Sequence, residues 1–214
     1  MCGISGILSF DMKYNKKDIL KMNKILSHRG PDDEGTYFDD FIGLGHRRLS
    51  IIDLSKAGHQ PMPDEKKRYW IVFNGEIYNY IEIREELIRE GHQFNSNADT
   101  EVILNSYIQW GKDCLKKFNG MWSFVIWDNE KKELFCARDR FGVKPFYYYH
   151  KDNYFVFASE IKALLEVQEV PREPNDNRIL QYLGNYPLLE NTSTFFKDIY
   201  QLPPSHYITI RKNS

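Results

Sequence analysis

The sequence predicts an α+β fold, with helices packed on the outside of antiparallel sheets. Three observations carry this expectation. Segments of strand character outnumber those of helical period, most consecutive strands are close enough to pair antiparallel, and the helical segments cluster in the first half. With 214 residues, 42% hydrophobic and 15% aromatic, the chain can build one sizeable core.

Ile4 to Phe10 reads as a strand that carries the start of the chain into the core. Asn15 caps an amphipathic helix with Ile19, Met22, Ile25 and Leu26 on its inner face. His28-Arg29-Gly30-Pro31-Asp32-Asp33-Glu34-Gly35 reads as a turning loop, because a helix does not continue comfortably through Gly30-Pro31. Phe41 to Ile52 has β-like alternation, and a polar loop follows around Gly58-His59-Gln60-Pro61. Tyr69 to Phe73 is a strand running into Asn74-Gly75-Glu76. Asn79 and Glu82 have capping-box spacing and open a helix that ends at Gly91. Asp99-Thr100-Glu101 heads another helix. Met121 to Trp127 and Leu134 to Arg138 read as strands joined by the charged turn Asp128 to Lys132. Phe146 to Tyr149 and Tyr154 to Ala158 form the next pair. A short helix near Ser159, another over Asp176 to Leu183 and a strand at Tyr207 to Ile210 complete the reading.

The 29 basic and 30 acidic residues nearly cancel, so no field favours nucleic acid or an anionic membrane. No apolar run approaches the ~20 residues of a membrane helix, and the start lacks the basic n-region of a secretory signal. Three cysteines (Cys2, Cys114, Cys136) with no paired spacing argue against a disulfide framework or zinc site and for a reducing cytoplasm. Cys114 and Cys136 lie among periodic apolar residues and read as inert core.

Cys2 is different. Once Met1 is removed, one residue carries both a thiol nucleophile and a free α-amine. An α-amine titrates at about 7.7 and a thiol at about 8.5, so the first can act as base for the second. A terminal residue that supplies nucleophile and base together matches the N-terminal-nucleophile logic of amide hydrolysis.

Ordered blocks then fix a resemblance. They are Cys2-Gly3-Ile4, His28 to Asp32, Gly45 to Asp53, Gln60-Pro61-Met62, Asn74-Gly75-Glu76-Ile77-Tyr78-Asn79, Asp99 to Leu104, Asn119 to Phe124, Ala137 to Pro145 and Ala158 to Leu164. Together they resemble the glutaminase domain of the asparagine synthetases, class II glutamine amidotransferases of the N-terminal-nucleophile hydrolase superfamily. The resemblance implies a four-layer αββα sandwich of two antiparallel sheets over a single domain, residues 1–214. It also implies hydrolysis of the glutamine side-chain amide through a cysteinyl thioester, releasing glutamate and ammonia.

By that resemblance Cys2 is the nucleophile, and Asn74 with the Gly75 backbone N–H holds the oxyanion. The bland reading of Asn74-Gly75 is a hairpin turn. Arg48 matches the arginine that grips the substrate carboxylate, and Asp99 the carboxylate that receives the ammonium, with a helix N-cap as its alternative. Glu76 is a second ammonium partner, and Ile51 and Ile52 line the site through backbone carbonyls. Arg29 reads as positioning structure and Arg47 as facing the opposite side from Arg48. No histidine is required as a base, and histidine spacing gives no metal site. Arg138-Asp139-Arg140 reads as an ion-pair cluster.

The synthetases' Ser-Gly-Gly-x-Asp phosphate loop does not occur here, so the sequence reads as a glutaminase domain without the C-terminal synthetase domain. No cofactor is expected in this domain; ATP and Mg2+ belong to the absent one. The expected partners are L-glutamine and that synthetase domain, with a homodimer compatible, and the expected location is cytoplasmic. Three other readings compete: a glutaminase feeding another acceptor such as a sugar acid, a non-catalytic scaffold, and an amidase for a different amide. The joint presence of Cys2, Arg48, Asn74 and Asp99 speaks against the last two.

Overall fold

Alternation of apolar residues places each strand between two environments, and the layers follow from it. The computed structural model describes residues 1–11, 14–184 and 192–212. One sheet runs in the order β10 (Ile199–Gln201), β8 (Tyr147–Lys151), β9 (Tyr154–Ala158), β1 (Gly3–Ser9), β3 (Ile42–Arg48), β2 (Asp33–Phe38). The other runs β11 (Tyr207–Ile210), β7 (Glu133–Arg138), β6 (Gly120–Asp128), β5 (Tyr69–Ile77), β4 (Met62–Pro63). Every pairing is antiparallel.

On β1, Ile4 and Leu8 point between the sheets, against Leu44, Val72, Val125 and Trp127. Ile7 points outward and packs with Ile19, Met22 and Leu26 of the helical layer. On β5, Val72 faces inward while Ile71 and Phe73 face Ile83, Leu87, Val102 and Ile103. Each such side chain contributes about 1.5–3 kcal/mol when fully buried. The result is helix, sheet, sheet, helix: the αββα sandwich.

The outer layers are α1 (Lys16–Ile25) over the first sheet, and α2 (Tyr80–Arg89) with α3 (Asp99–Trp110) over the second. Asn15 caps α1 as expected, its side chain accepting the Lys17 N–H at 3.0 Å. Asn79 does not cap α2. It bridges instead to the Lys117 carbonyl (3.0 Å) and the Asn119 N–H (2.9 Å), tying the helix start to the approach to β6. α4 (Ile161–Leu164) and α5 (Asp176–Leu183) lie between β9 and β10 in sequence.

Four details differ from the sequence reading. Asp33–Phe38 is a strand, β2, where a loop is expected to continue to Gly35; it is a partly exposed edge strand with no apolar alternation to announce it. β3 stops at Arg48 rather than Ile52, because the Arg48 side chain turns to bind the carbonyls of Asp53 and Ser55 and the chain curls around it. β5 continues through Asn74-Gly75 to Ile77, so this pair is mid-strand and not a turn. β4 and β10 are short edge strands with no sequence signal of their own.

Candidate active site

The sheets part at one end, and the start of β1, the end of β3, the second half of β5 and the N-terminus of α3 meet there. They border a cleft that opens to solvent. Cys2, one residue before β1, shares the parity of Ile4 and lies in this cleft. Its sulfur lies 3.4 Å from the Leu49 N–H nitrogen and 3.6 Å from the Leu49 carbonyl oxygen. Burial raises the thiol pKa, and the Leu49 N–H, the chain's amino terminus and Arg48 act against that rise.

The terminus is held from both flanks. Arg29 Nε donates to the Cys2 carbonyl at 2.9 Å, and its Nη1 pairs with Glu160 at 2.8 Å. Ile4 exchanges hydrogen bonds with Ser159, its N–H to Oγ (3.0 Å) and its carbonyl from the Ser159 N–H (2.9 Å). Arg29 thus positions the chain at Cys2, as read from sequence.

Asn74 is 1% exposed, and neither its side-chain oxygen nor its nitrogen has a hydrogen-bond partner among the described residues. An amide left unpaired in a buried position costs about 1–3 kcal/mol per group, so such groups call for a ligand. Gly75 follows. Phe73 and Ile77 send their N–H groups away from β6, to Gln60 Oε1 (2.7 Å) and Asp99 Oδ2 (3.0 Å). Strand alternation puts the Gly75 N–H on that same edge, between the two. A Cβ on Gly75 would stand 2.3 Å from the Met121 carbonyl oxygen, so close packing against β6 is what requires glycine.

Asp99 does not act as an N-cap; Ala98 holds that position, and Asp99 is the first residue of α3. Burial raises its carboxyl to about 6, the Ile77 N–H opposes the rise, and neighbouring Glu76 adds to it. Glu76 also borders the cleft. Arg48, 7% exposed, donates to the Ser55 carbonyl at 2.9 Å and to the Asp53 carbonyl, which leaves further guanidinium N–H groups for a ligand. A Cβ on Gly58 would sit 2.1 Å from Arg48 Nη2, so that glycine makes room for the guanidinium. Ile51 and Ile52 border the cleft as well, with the Ile51 side chain exposed. The structure therefore brings together every site residue read from the sequence: Cys2, Arg48, Ile51, Ile52, Asn74, Gly75, Glu76 and Asp99. Arg47 turns away, to Glu34 and the Gly30 carbonyl (3.1 Å).

His46 is fully buried, its ring pushed down to about 4 by desolvation, with Nε2 3.0 Å from the Phe73 carbonyl. His59 pairs with Asp33 and His92 with Gln109. Burial pushes the Cys114 thiol up to about 12 and Cys136 well above its usual range, so both are inert core.

The Arg138-Asp139-Arg140 segment is not an ion-pair cluster. Arg138 donates to the carbonyls of Lys144 (2.7 Å), Leu202 (2.5 Å) and Gly142 (2.6 Å), while Asp139 accepts the N–H groups of Phe141, Val143 and Lys144 (3.0 Å each). Arg140 donates to carbonyls at Leu115, Lys116 and Phe118. This loop carries Lys144 to the cleft, and Gln60 also borders it, joined to Thr100 Oγ1 at 3.1 Å; sequence reasoning gave neither residue a role.

An αββα sandwich whose terminal cysteine lies where the sheets part has the architecture of an N-terminal-nucleophile hydrolase. The glutamine phosphoribosylpyrophosphate amidotransferase of Bacillus subtilis shares the fold, with a TM-score of 0.65 at 20% identity over 76% of this chain and 43% of that one. The family model described as glutamine amidotransferase domain matches residues 1–214, and the chain belongs to that family. A Methanocaldococcus jannaschii protein provisionally named asparagine synthetase (glutamine-hydrolyzing) 2 is 50% identical over 83% of this chain and 38% of its own length. The B. subtilis protein named asparagine synthetase (glutamine-hydrolyzing) 3 is 39% identical over 100% of this chain and 35% of its own. Amidase chry2 of Gibberella zeae is 34% identical over 100% of this chain and 33% of its own. The chain spans about a third of the length of these curated relatives.

Proposed function

We propose that this chain hydrolyses the side-chain amide of L-glutamine to glutamate and ammonia, with Cys2 as nucleophile. The observation that carries the reading is the Asn74 amide, buried and unpartnered in the same cleft as Cys2. With Met1 removed, the Cys2 amine takes the thiol proton and sulfur attacks the amide carbon. The oxyanion that forms accepts from Asn74 Nδ2 and the Gly75 N–H. The proton passes to the leaving nitrogen, ammonia departs and a thioester remains. Water, deprotonated by the same amine, attacks the thioester; glutamate leaves and the thiol is restored. Arg48 grips the substrate carboxylate, Asp99 and Glu76 receive its ammonium, and the carbonyls of Ile51 and Ile52 border the bound amino acid.

No cofactor or metal enters these steps. The ammonia is destined for ATP- and Mg2+-dependent synthesis of asparagine from aspartate, in a domain of the kind that the longer relatives named asparagine synthetase have room for. A cytoplasmic setting suits three unpaired cysteines; among the described residues no helix is long and apolar enough to cross a membrane.

The test is glutamate release by the Met1-processed chain, beside Cys2→Ala and Asn74→Ala, with a glutamine-mimicking diazo-ketone as trap. The expected result is label on Cys2 alone, no turnover in Cys2→Ala, and a loss in kcat of roughly 10²–10³ in Asn74→Ala. Label on another residue, or turnover without the thiol, defeats the reading.

A further inference from the structure

Lys144 is 5% exposed, borders the cleft that holds Cys2, and makes no hydrogen bond or ion pair through its side chain among the described residues. Its backbone cannot swing away. Asp139 Oδ2 accepts its N–H at 3.0 Å, Arg138 Nε donates to its carbonyl at 2.7 Å, and the next carbonyl, of Pro145, accepts from Ser123 Oγ at 3.2 Å. Asp139 in turn is fully buried, with its two oxygens taken up by backbone N–H groups. The loop is thus built to hold one ammonium at the mouth of the sandwich.

An ammonium on a largely buried side chain, without an ion-pair partner, is held at a cost. Burial accordingly lowers the Lys144 pKa, and Cys2, Glu76 and Asp139 oppose that fall while Arg29 adds to it. Cys2 itself faces Arg48, the chain's amino terminus and Asp99. The carboxylates of Glu76 and Asp99 share the cleft, yet Lys144 forms no ion pair with either. A further group in this cleft that can become an anion is the Cys2 sulfur, once it has lost its proton.

We propose that Lys144 is the counter-charge of the Cys2 thiolate. It acts on turnover through Cys2, by favouring the deprotonated thiol in a cleft whose burial otherwise disfavours it. The inference deepens the glutaminase reading, on which it rests. In the processed chain the thiol and the terminal amine titrate as a coupled pair, and a fixed cation lowers both macroscopic values.

The experiment is the pH dependence of iodoacetamide alkylation at Cys2 in the Met1-processed chain, read by mass spectrometry, with Cys114 and Cys136 as internal reporters of folding. Lys144→Met should raise the Cys2 midpoint by about one unit, slowing alkylation at pH 7 by roughly tenfold, and Lys144→Arg should retain the parent midpoint. The acid limb of kcat/KM for glutamine should move by the same amount. If Lys144→Met exposes Cys114 or Cys136, Lys144→Gln provides the same comparison. An unmoved midpoint in a folded neutral variant, or an equal shift in Lys144→Arg, overturns the proposal. Alkylation requires no glutamine, so a shifted midpoint in a chain that never turns glutamine over would condemn the glutaminase reading and leave the charge pairing standing.

Discussion

Asp99→Asn should make this protein more stable at pH 8 while crippling its use of glutamine. The Asp99 carboxyl stands at about 6 in the folded chain against 3.8 without burial. The gap of about 2 units corresponds to at most about 3 kcal/mol. The folded pKa lies above the unfolded one, so the group's stabilising contribution is complete below about 3.8 and is lost as pH rises through about 6. Asparagine never ionises and can still accept the Ile77 N–H that Asp99 now holds at 3.0 Å. At pH 8 the variant should therefore melt several degrees higher, at roughly 2–4 °C per kcal/mol for a chain of this size; at pH 4 the difference should nearly vanish. A substrate ammonium deprived of its carboxylate loses about 2–4 kcal/mol, which is roughly 30- to 1,000-fold in KM. Melting curves at the two pH values and glutamate-release kinetics read both effects. A melting difference that ignores pH, or an unchanged KM, would refute the assignment of Asp99 as a strained ammonium receptor.

Two further outcomes follow from the same geometry. Chain that keeps Met1 has its Cys2 nitrogen tied up in a peptide bond and a thiol already raised by burial, so it should hydrolyse glutamine at least about 10²-fold more slowly than processed chain; intact-mass measurement beside the assay decides it. Gly58→Ala places a carbon 2.1 Å from Arg48 Nη2 and should displace the guanidinium, raising KM for glutamine about tenfold or more with a smaller change in kcat; steady-state kinetics separate the two.

Much of this fold was legible in the order of its residues, for reasons that also explain the gaps. β1, β6, β7 and β9 are buried along most of their length and carry dense apolar and aromatic runs. β2, β4 and β10 are edge strands, β4 and β10 only two and three residues long and β2 without apolar alternation, so local composition says little about them. The site shows the same divide. Cys2, Arg48, Asn74 and Asp99 could be named because each sits in a motif whose chemistry resembles a known one. Lys144 lies in the Ala137 to Pro145 block without a role of its own there, and its place at the cleft depends on the backbone hydrogen bonds to Arg138 and Asp139. Gly58 owes its identity to a guanidinium ten residues earlier, and Gly75 to the backbone of β6. Tertiary proximity of that kind leaves no trace in spacing or period.

β1 needs partners from both ends of the described chain. β1 lies between β3 and β9, and Ser159 is the far anchor of Ile4. A ribosome must therefore finish some 150 residues beyond the cysteine before that thiol has its surroundings. The surroundings of Cys2 are thus complete only in a chain whose first sheet has closed across β1.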